Sequence, residues 1–184
     1  MYITGIAPSP RKLREKNLFP SSEMVYLAKK ALKRYRASHL ITSLSFGWEQ
    51  AMTKAAIELG VPFTVAIPYP GQDTTWRSNA RSYYLDLISK ADEVYRVSDY
   101  YSEGALLEGH LWRADRSDIV FALWEYEFEG ETFDVLDYAL AKGKRVVNLW
   151  EDWEHLVKMR ERPDSAKRKS SRSGAQIFSR ERDS

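Results

Sequence analysis

Residues 39–67 read HLITSLSFGWEQAMTKAAIELGVPFTVAI, and this stretch contains a strand–helix–strand unit that indicates the fold class. It begins and ends with short apolar runs, at 39–44 and 63–67, which are nearly continuous in hydrophobic character, as strands covered on both faces are. The segment 48–59 between them has helical periodicity, and Gly60 supplies a stop signal. Because a right-handed crossover returns the chain to the same end of a sheet, this strand–helix–strand unit predicts two parallel strands.

The same alternation recurs along most of the chain. Strands are predicted at 2–6, 39–44, 63–67, 93–97, 118–124 and 145–150. Helices are predicted from Ser21 or Ser22 onward and at 48–59, 75–89, 104–114, 133–142 and 152–160. Repeated units of this kind predict an α/β fold, a Rossmann-like, doubly wound, mainly parallel sheet of about six strands with helices on both faces.

Composition limits the classes of protein that remain. A chain of 184 residues that is 43% hydrophobic fits one domain with a proper core. It has no cysteine, and His39, His110 and His155 have no ligand spacing, so we expect neither a metal site nor a cofactor. No apolar run approaches the roughly 18 residues that span a membrane, and no signal-peptide pattern opens the chain. A cytoplasmic protein is therefore expected.

Charge is divided unevenly along the chain. From Lys158 onward nine Lys or Arg residues stand against four Asp or Glu, a balance of +5, which leaves about −3 for the rest of a chain of net charge +2. We therefore predict a folded domain over 1–162 and a basic, disordered tail over 163–184. The tail is either a solvated terminus or an arm that binds nucleic acid weakly, because only there does the charge suit such a partner.

The loops that follow the predicted strands are where a ligand is expected, because open parallel sheets bind ligands outside the carboxyl ends of their strands. The second loop combines small and hydroxyl-bearing residues, Ser43, Ser45 and Gly47, with the start of a helix, which favours a phosphate site. Glu49 in the first helical turn either complements the helix dipole or holds ribose hydroxyls. No Walker lysine motif is present, so hydrolysis of nucleoside triphosphates by a P-loop is not expected.

The other loops contribute further candidate nucleotide-binding residues. Thr4 and Gly5 belong to the first strand, Gln72 to the third loop, and Gly130 and Thr132 to the fifth. Gly130 has an alternative interpretation as a turn glycine that needs a positive φ. Four aromatic residues could stack on a base, although most aromatics in such a domain belong to the core. They are Tyr69, Trp76, Trp112 and Trp124.

A set of short segments spread over roughly residues 1–150 has a characteristic order and spacing. In chain order they are Thr4-Gly5, Gly47 with Glu49, Ile67-Pro68-Tyr69-Pro70-Gly71-Gln72 with Trp76, Tyr84, Ala91-Asp92-Glu93-Val94, Asp115-Arg116-Ser117-Asp118, Gly130-Glu131-Thr132, and Tyr138-Ala139 with Gly143-Lys144. Together they resemble the SLOG superfamily, named for the Smf/DprA and LOG proteins, and within it the YpsA-like branch. The combination is more specific than any one segment.

The resemblance implies a Rossmann-like fold with a glycine-rich pocket for nucleotides or nucleotide-derived ligands. Members range from DNA-processing proteins through sensors of NAD-derived signals to phosphoribohydrolases that remove a base from a nucleoside monophosphate. This chain has Ile6-Ala7, Ser43-Leu44, Gly109-His110 and Glu131 where the branch usually has His-Arg, Gly-Gly, Arg-Asn and Gly. The differences remove an arginine and several glycines from the implied phosphate pocket.

Three functional hypotheses follow, and whether the chain is an enzyme stays open among them. The first is binding or sensing of a small nucleotide or ADP-ribose-like ligand at the carboxyl ends of the strands. The second is an N-glycosidase or phosphoribohydrolase, in which a carboxylate stabilises an oxocarbenium-like state while an acid protonates the leaving base. Its candidate catalytic residues are Glu49, Glu131 and Asp134. The third is a nucleic-acid accessory protein that uses the tail, and a homo-oligomer is compatible with each.

Overall fold

The computed structural model describes residues 1–161, in which six strands alternate with six helices. The strands are β1 (Tyr2–Ile6), β2 (His39–Thr42), β3 (Phe63–Ile67), β4 (Glu93–Arg96), β5 (Ile119–Ala122) and β6 (Arg145–Asn148). The helices are α1 (Ser22–Arg34), α2 (Trp48–Leu59), α3 (Ser78–Ile88), α4 (Ala105–Asp115), α5 (Glu131–Ala141) and α6 (Trp150–Glu161). The tail predicted at 163–184, its disorder and the domain boundary at 162 lie outside the described residues.

Every pair of neighbouring strands in the described sheet is parallel, and the order is β4-β3-β2-β1-β5-β6. Register places Thr4 of β1 beside both Ile41 of β2 and Val120 of β5. The chain adds strands on one side of β1 as far as β4 and then returns to place β5 and β6 on its other side. This order confirms the predicted doubly wound α/β fold, and the reversal creates a topological switch point at β1 and β5.

The helices form a layer on each face of the sheet. α1, α2, α3 and α6 pack on one face over the larger core cluster, whose biggest side chains include Trp48 and Trp153. α4 and α5 pack on the other face over a smaller cluster that includes Leu136. Because strand side chains alternate between faces, Ile3 and Ile6 of β1 belong to opposite clusters. Both faces of β1 are therefore covered, as its continuous apolar character predicts.

The end of β2 differs from the predicted strand, which continues to residue 44. Side chains bind the next two backbone N–H groups and end the ladder at Thr42. The Ser43 N–H donates to Glu49 Oε2 at 2.7 Å, and the Leu44 N–H donates to the Thr42 hydroxyl at 3.1 Å. Leu44 then takes a positive φ of 62°. A carboxylate and a hydroxyl thus turn the chain away from the sheet and toward α2.

Local signals at the helix ends agree closely with the structure. Ser21 caps α1, its hydroxyl accepting from the Met24 N–H at 3.3 Å, and Gly60 closes α2 with a left-handed φ of 66°. α5 begins at Glu131, two residues before its predicted start, so this carboxylate lies in the first helical turn. Among the described helices, none is long and apolar enough to cross a membrane.

Candidate ligand-binding cavity

A cavity of about 470 Å³ opens at the carboxyl ends of β1, β2 and β5. Its volume lies in the range of small-molecule sites, and its position is the switch point at which doubly wound sheets bind ligands. Most of its wall comes from the loops after β1 and β2 and from the long loop between β5 and α5. Leu106 and His110 of α4 and Trp150 of α6 complete it.

One wall of the cavity is aromatic. Trp124 lines it and packs against Tyr126, Phe128 and Phe133 at ring-centroid distances of 5.1, 5.4 and 6.1 Å. The amide of Asn148, at the end of β6, accepts from the Trp124 N–H at 3.1 Å and donates to the Trp124 carbonyl at 2.8 Å. The backbone that carries the indole is therefore held in place, and the indole N–H donates to the Glu127 carbonyl at 2.8 Å, so the ring that lines the cavity is held as well.

Carboxylates dominate the polar part of the lining. Five glutamates line the cavity, and four of them come from the loop after β5 and the start of α5. They are Glu49, Glu125, Glu127, Glu129 and Glu131. Lys12 also lines the cavity, and its Nζ lies 3.0 Å from Glu127 Oε2, with both side chains more than half exposed. An exposed pair of this kind contributes little to stability. Because five glutamates stand against one lysine, the lining as a whole is acidic.

Glu49 differs from the other four glutamates because it is 4% exposed and is bonded at both carboxylate oxygens. Its Oε1 accepts from Arg113 Nη2 at 2.9 Å, and its Oε2 accepts from the Ser43 N–H at 2.7 Å and the Ser43 hydroxyl at 2.8 Å. Burial raises the pKa of Glu49, but Arg113, His110 and the Ser43 donors together outweigh burial and hold that pKa below its ordinary value. Glu49 is therefore an ionised structural partner of Arg113.

Arg113 joins the two helical layers through this ion pair. It lies on α4 and is 1% exposed, whereas Glu49 lies on α2 at the opposite face of the sheet. Its Nη1 also donates to the Thr4 hydroxyl at 2.9 Å and to the Gly5 carbonyl at 3.1 Å. One side chain thus connects α4, β1 and α2 beneath the cavity. Loss of either charge would leave the other buried without its partner, which is costly.

His110 and Glu131 form a second pair at the cavity surface. His110 Nδ1 lies 2.9 Å from Glu131 Oε1, which is an ion-pair distance, although the two groups are not aligned as a hydrogen bond. Contact with His110 holds the pKa of Glu131 below its ordinary value, while partial burial acts in the opposite direction. The His110 side chain is 12% exposed and that of Glu131 is 46% exposed. The carboxylate is therefore open to a ligand.

The predicted site residues divide into two groups. Those that line the cavity are Ser45, Glu49, Gly130, Glu131 and Thr132. Those that lie outside its lining are Thr4, Gly5, Ser43, Gly47, Gln72 and Asp134. Several of the second group are buried with their polar atoms bonded to the protein. Gln72 is an example, since its Nε2 donates to the Ser43 carbonyl at 3.2 Å and to the Tyr84 hydroxyl at 2.6 Å. Such residues support the loops.

Two of the glycines outside the lining are required by close packing. A Cβ added to Gly5 would lie 2.5 Å from the sulfur of Met52, so glycine lets α2 approach β1. Gly47 has a φ of 78°, and its Cβ would lie 3.0 Å from Cγ of Pro10. The loop after β1 therefore covers the turn at which the sequence predicts a phosphate. A large side chain at position 47 would disturb the fold as well as any ligand.

Sequence reasoning missed Arg113 and assigned no function to His110. Arg113 follows Ala105 and Gly109 at four-residue spacing, and all three are buried on one face of α4. A charged residue on such a face indicates a buried partner, so this signal was present. The partner itself was not predictable, because Glu49 lies 64 residues away in the chain.

Comparison with known proteins defines the class of the fold. No protein-family model and no curated protein sequence matches this chain. Solved structures that are similar to it include the following two. The molybdenum cofactor carrier protein of Chlamydomonas reinhardtii is 18% identical, with a TM-score of 0.50, over 80% of this chain and 74% of that chain. DNA processing protein A (DprA) of Streptococcus pneumoniae is 12% identical, with a TM-score of 0.59, over 85% of this chain and 56% of that chain.

The described part of this chain shares the α/β fold of both of these proteins. Identities this low establish the fold alone, and this chain spans little more than half the length of the DprA structure. The protein is thus a Rossmann-like α/β protein with a six-stranded parallel sheet. An acidic cavity, lined in part by Trp124, lies at its switch point.

Proposed function

We propose that this protein binds or senses a small nucleotide-derived ligand in the cavity at the switch point. The observation that carries the proposal is a held indole, Trp124, on the same cavity as open carboxylates such as Glu131. A nucleobase stacks well on an aromatic face. Ribose hydroxyls are hydrogen-bond donors, and an ionised carboxylate is purely an acceptor, so the two groups match.

Binding is favoured over catalysis by the surroundings of the three carboxylates that the sequence singles out. Glu49 is buried and bonded at both oxygens. Asp134 is exposed and lies outside the cavity lining. Glu131 alone of the three is open to the cavity, so these three residues do not together present the two carboxyl groups that glycoside hydrolysis ordinarily uses. These positions support a binder or sensor.

The first experiment identifies the ligand directly. Purified protein is denatured, and the small molecules that it releases are analysed by mass spectrometry. We expect a nucleoside or a nucleotide-derived compound in an amount comparable to the protein. A stoichiometric compound that lacks both a base and a ribose would contradict the proposal.

The second experiment tests the position of the ligand. Trp124→Ala removes the cavity indole, and Trp112→Ala is the matched control, because Trp112 lies outside the lining and stacks on Tyr95 at 4.7 Å. Stacking of a base on an aromatic residue contributes about 1–3 kcal/mol, so Trp124→Ala should weaken binding by a factor of about 5 to 150. Calorimetric titration measures both variants. Equal affinities would place the ligand elsewhere.

An N-glycosidase is the second candidate, and the His110–Glu131 pair is the observation that favours it. A histidine beside a carboxylate can transfer a proton to a leaving base. The test is release of free base from nucleosides, nucleoside monophosphates, NAD and ADP-ribose. A binder releases none. Steady release that is lost in Glu131→Gln would establish the enzyme in its place.

The finer sequence-based expectations remain proposals. They are the affiliation with the YpsA-like branch, a cytoplasmic location, a homo-oligomer and weak nucleic-acid binding through residues 163–184. Gel-shift assays with DNA on the full chain and on a chain ending at residue 162 test the last of these. If the shorter chain binds DNA equally well, the binding surface lies on the domain.

A further inference from the structure

The charge of the cavity bears on which part of a nucleotide it accepts. Among the five lining glutamates, Glu49 is paired with Arg113 and Glu127 with Lys12. Glu131 lies beside His110. Within residues 1–161, Glu125 and Glu129 form no ion pair, and both are exposed. Negative charge in the lining is therefore only partly compensated.

The groups that could attract a phosphate are already engaged. The guanidinium of Arg113 is bonded to Glu49, Thr4 and Gly5. The Ser43 N–H and hydroxyl are both bonded to Glu49. These contacts occupy the buried cation and the donors of Ser43, and Lys12, the cation of the cavity lining, is paired with Glu127.

The helix N-termini of α2 and α5 beside the cavity are also compromised for binding a phosphate. Pro10 packs against the Gly47 turn at the start of α2. At the start of α5, Glu129 and Glu131 place their own negative charge where the helix dipole would favour an anion. A phosphate there would meet like charges, and their repulsion would be strongest at low ionic strength.

We propose that the cavity selects a nucleoside that carries no phosphate over the corresponding nucleotide, and this inference rests on the proposed function. The base stacks on Trp124, and the ribose hydroxyls donate to the carboxylates of the loop after β5. Carboxylates repel a phosphate but accept hydrogen bonds from neutral hydroxyls. The same residues thus provide both affinity for the nucleoside and discrimination against the nucleotide.

The experiment compares each nucleoside with its own 5′-monophosphate by calorimetric titration at low salt. Adenosine, guanosine, cytidine and uridine are paired with AMP, GMP, CMP and UMP. We expect at least one nucleoside to bind, with a Kd at least tenfold below that of its monophosphate. The double variant Glu125→Gln/Glu129→Gln should narrow this ratio at least threefold. The control is Glu103→Gln, an exposed glutamate outside the cavity lining, which should leave the ratio unchanged.

The outcomes separate this inference from the function on which it rests. A monophosphate that binds as tightly as its nucleoside, or more tightly, would overturn the selectivity while leaving the binding proposal intact. A ratio that survives in the double variant would show that these carboxylates are not its cause, and would overturn the mechanism. If neither the nucleosides nor the monophosphates bind, the proposed function itself fails.

Discussion

Glu49 and Glu129 line the same cavity, but their surroundings differ in every respect that matters for a charge. Glu49 is 4% exposed, and its two oxygens are bonded to Arg113 and Ser43. Glu129 is exposed and forms no ion pair within residues 1–161. The first carboxylate holds two helical layers together, whereas the second is free to meet a ligand.

The contrast shows why a list of acidic residues near a cavity does not identify its chemistry. A buried ionised group must find partners, because the cost of removing it from water is large. An exposed group keeps its water and contributes little to folding, so it can be used for recognition. Substitutions in the two regions should therefore act on different properties, stability for the first and ligand selectivity for the second.

The largest expected effect is on stability, from breaking the buried pair. Glu49→Gln or Arg113→Met alone leaves one buried partner without its counterpart, and should lower the free energy of unfolding by about 3–5 kcal/mol. Urea denaturation followed by circular dichroism measures the change. A loss below about 1 kcal/mol would show that water reaches the remaining partner, and that the two regions are more alike than the structure indicates.

The double variant Glu49→Gln/Arg113→Met sharpens the same comparison. It removes both charges and keeps an amide oxygen as acceptor for the Ser43 N–H, so no buried charge is left unpaired, and most of the stability lost in the single variants should return. The measurement is a double-mutant cycle in urea. Additive losses would mean that the two residues stabilise the fold independently of each other.

A smaller effect is expected from acid. Because the folded-state pKa of Glu49 lies below its ordinary value of 4.5, this group stabilises the fold fully above about pH 4.5. That contribution is lost as the pH falls through the lowered pKa, where the folded state takes up its proton. The free energy of unfolding should therefore decrease on acidification, and it should decrease less steeply in Glu49→Gln. If the free energy of unfolding falls equally steeply with pH in the original protein and in Glu49→Gln, Glu49 is not the group whose lowered pKa causes the dependence.

Stability should hardly change when the two exposed carboxylates at the cavity rim, Glu125 and Glu129, are altered. Glu125→Gln and Glu129→Gln remove exposed charges, so the free energy of unfolding should stay within about 0.5 kcal/mol of its original value. The measurement is urea denaturation under the same conditions as for the variants of Glu49 and Arg113. A loss above about 2 kcal/mol would show that the rim is structural and would remove the contrast between the two regions.

The smallest expected effect comes from Asp134→Asn. Asp134 is exposed on α5 and lies outside the cavity lining, so neither stability nor ligand affinity should change measurably. Titration with whichever nucleoside binds best, together with urea denaturation, checks both. A clear loss of affinity would return Asp134 to the site in which the sequence places it.

Much of the fold was predictable because the signals that specify it are local. Apolar runs and helical periodicity identify the six strands and six helices of the described region, and crossovers between them require parallel pairing. The rule for open parallel sheets predicts a site at the carboxyl ends of the strands, and the candidate cavity lies at that edge. The exact strand ends were less predictable, because β2 stops where the carboxylate of Glu49 captures the Ser43 N–H.

Spacing within a few residues was thus enough to predict the alternating elements and the parallel sheet. Which side chains line the cavity depends on the tertiary structure. It paired Glu49 with Arg113, 64 residues away, and brought Pro10 over the Gly47 turn. It also brought Trp150 of α6 to the same cavity as Trp124. Such contacts join segments that are distant in the chain, and their partners depend on how the layers pack, which no local pattern records.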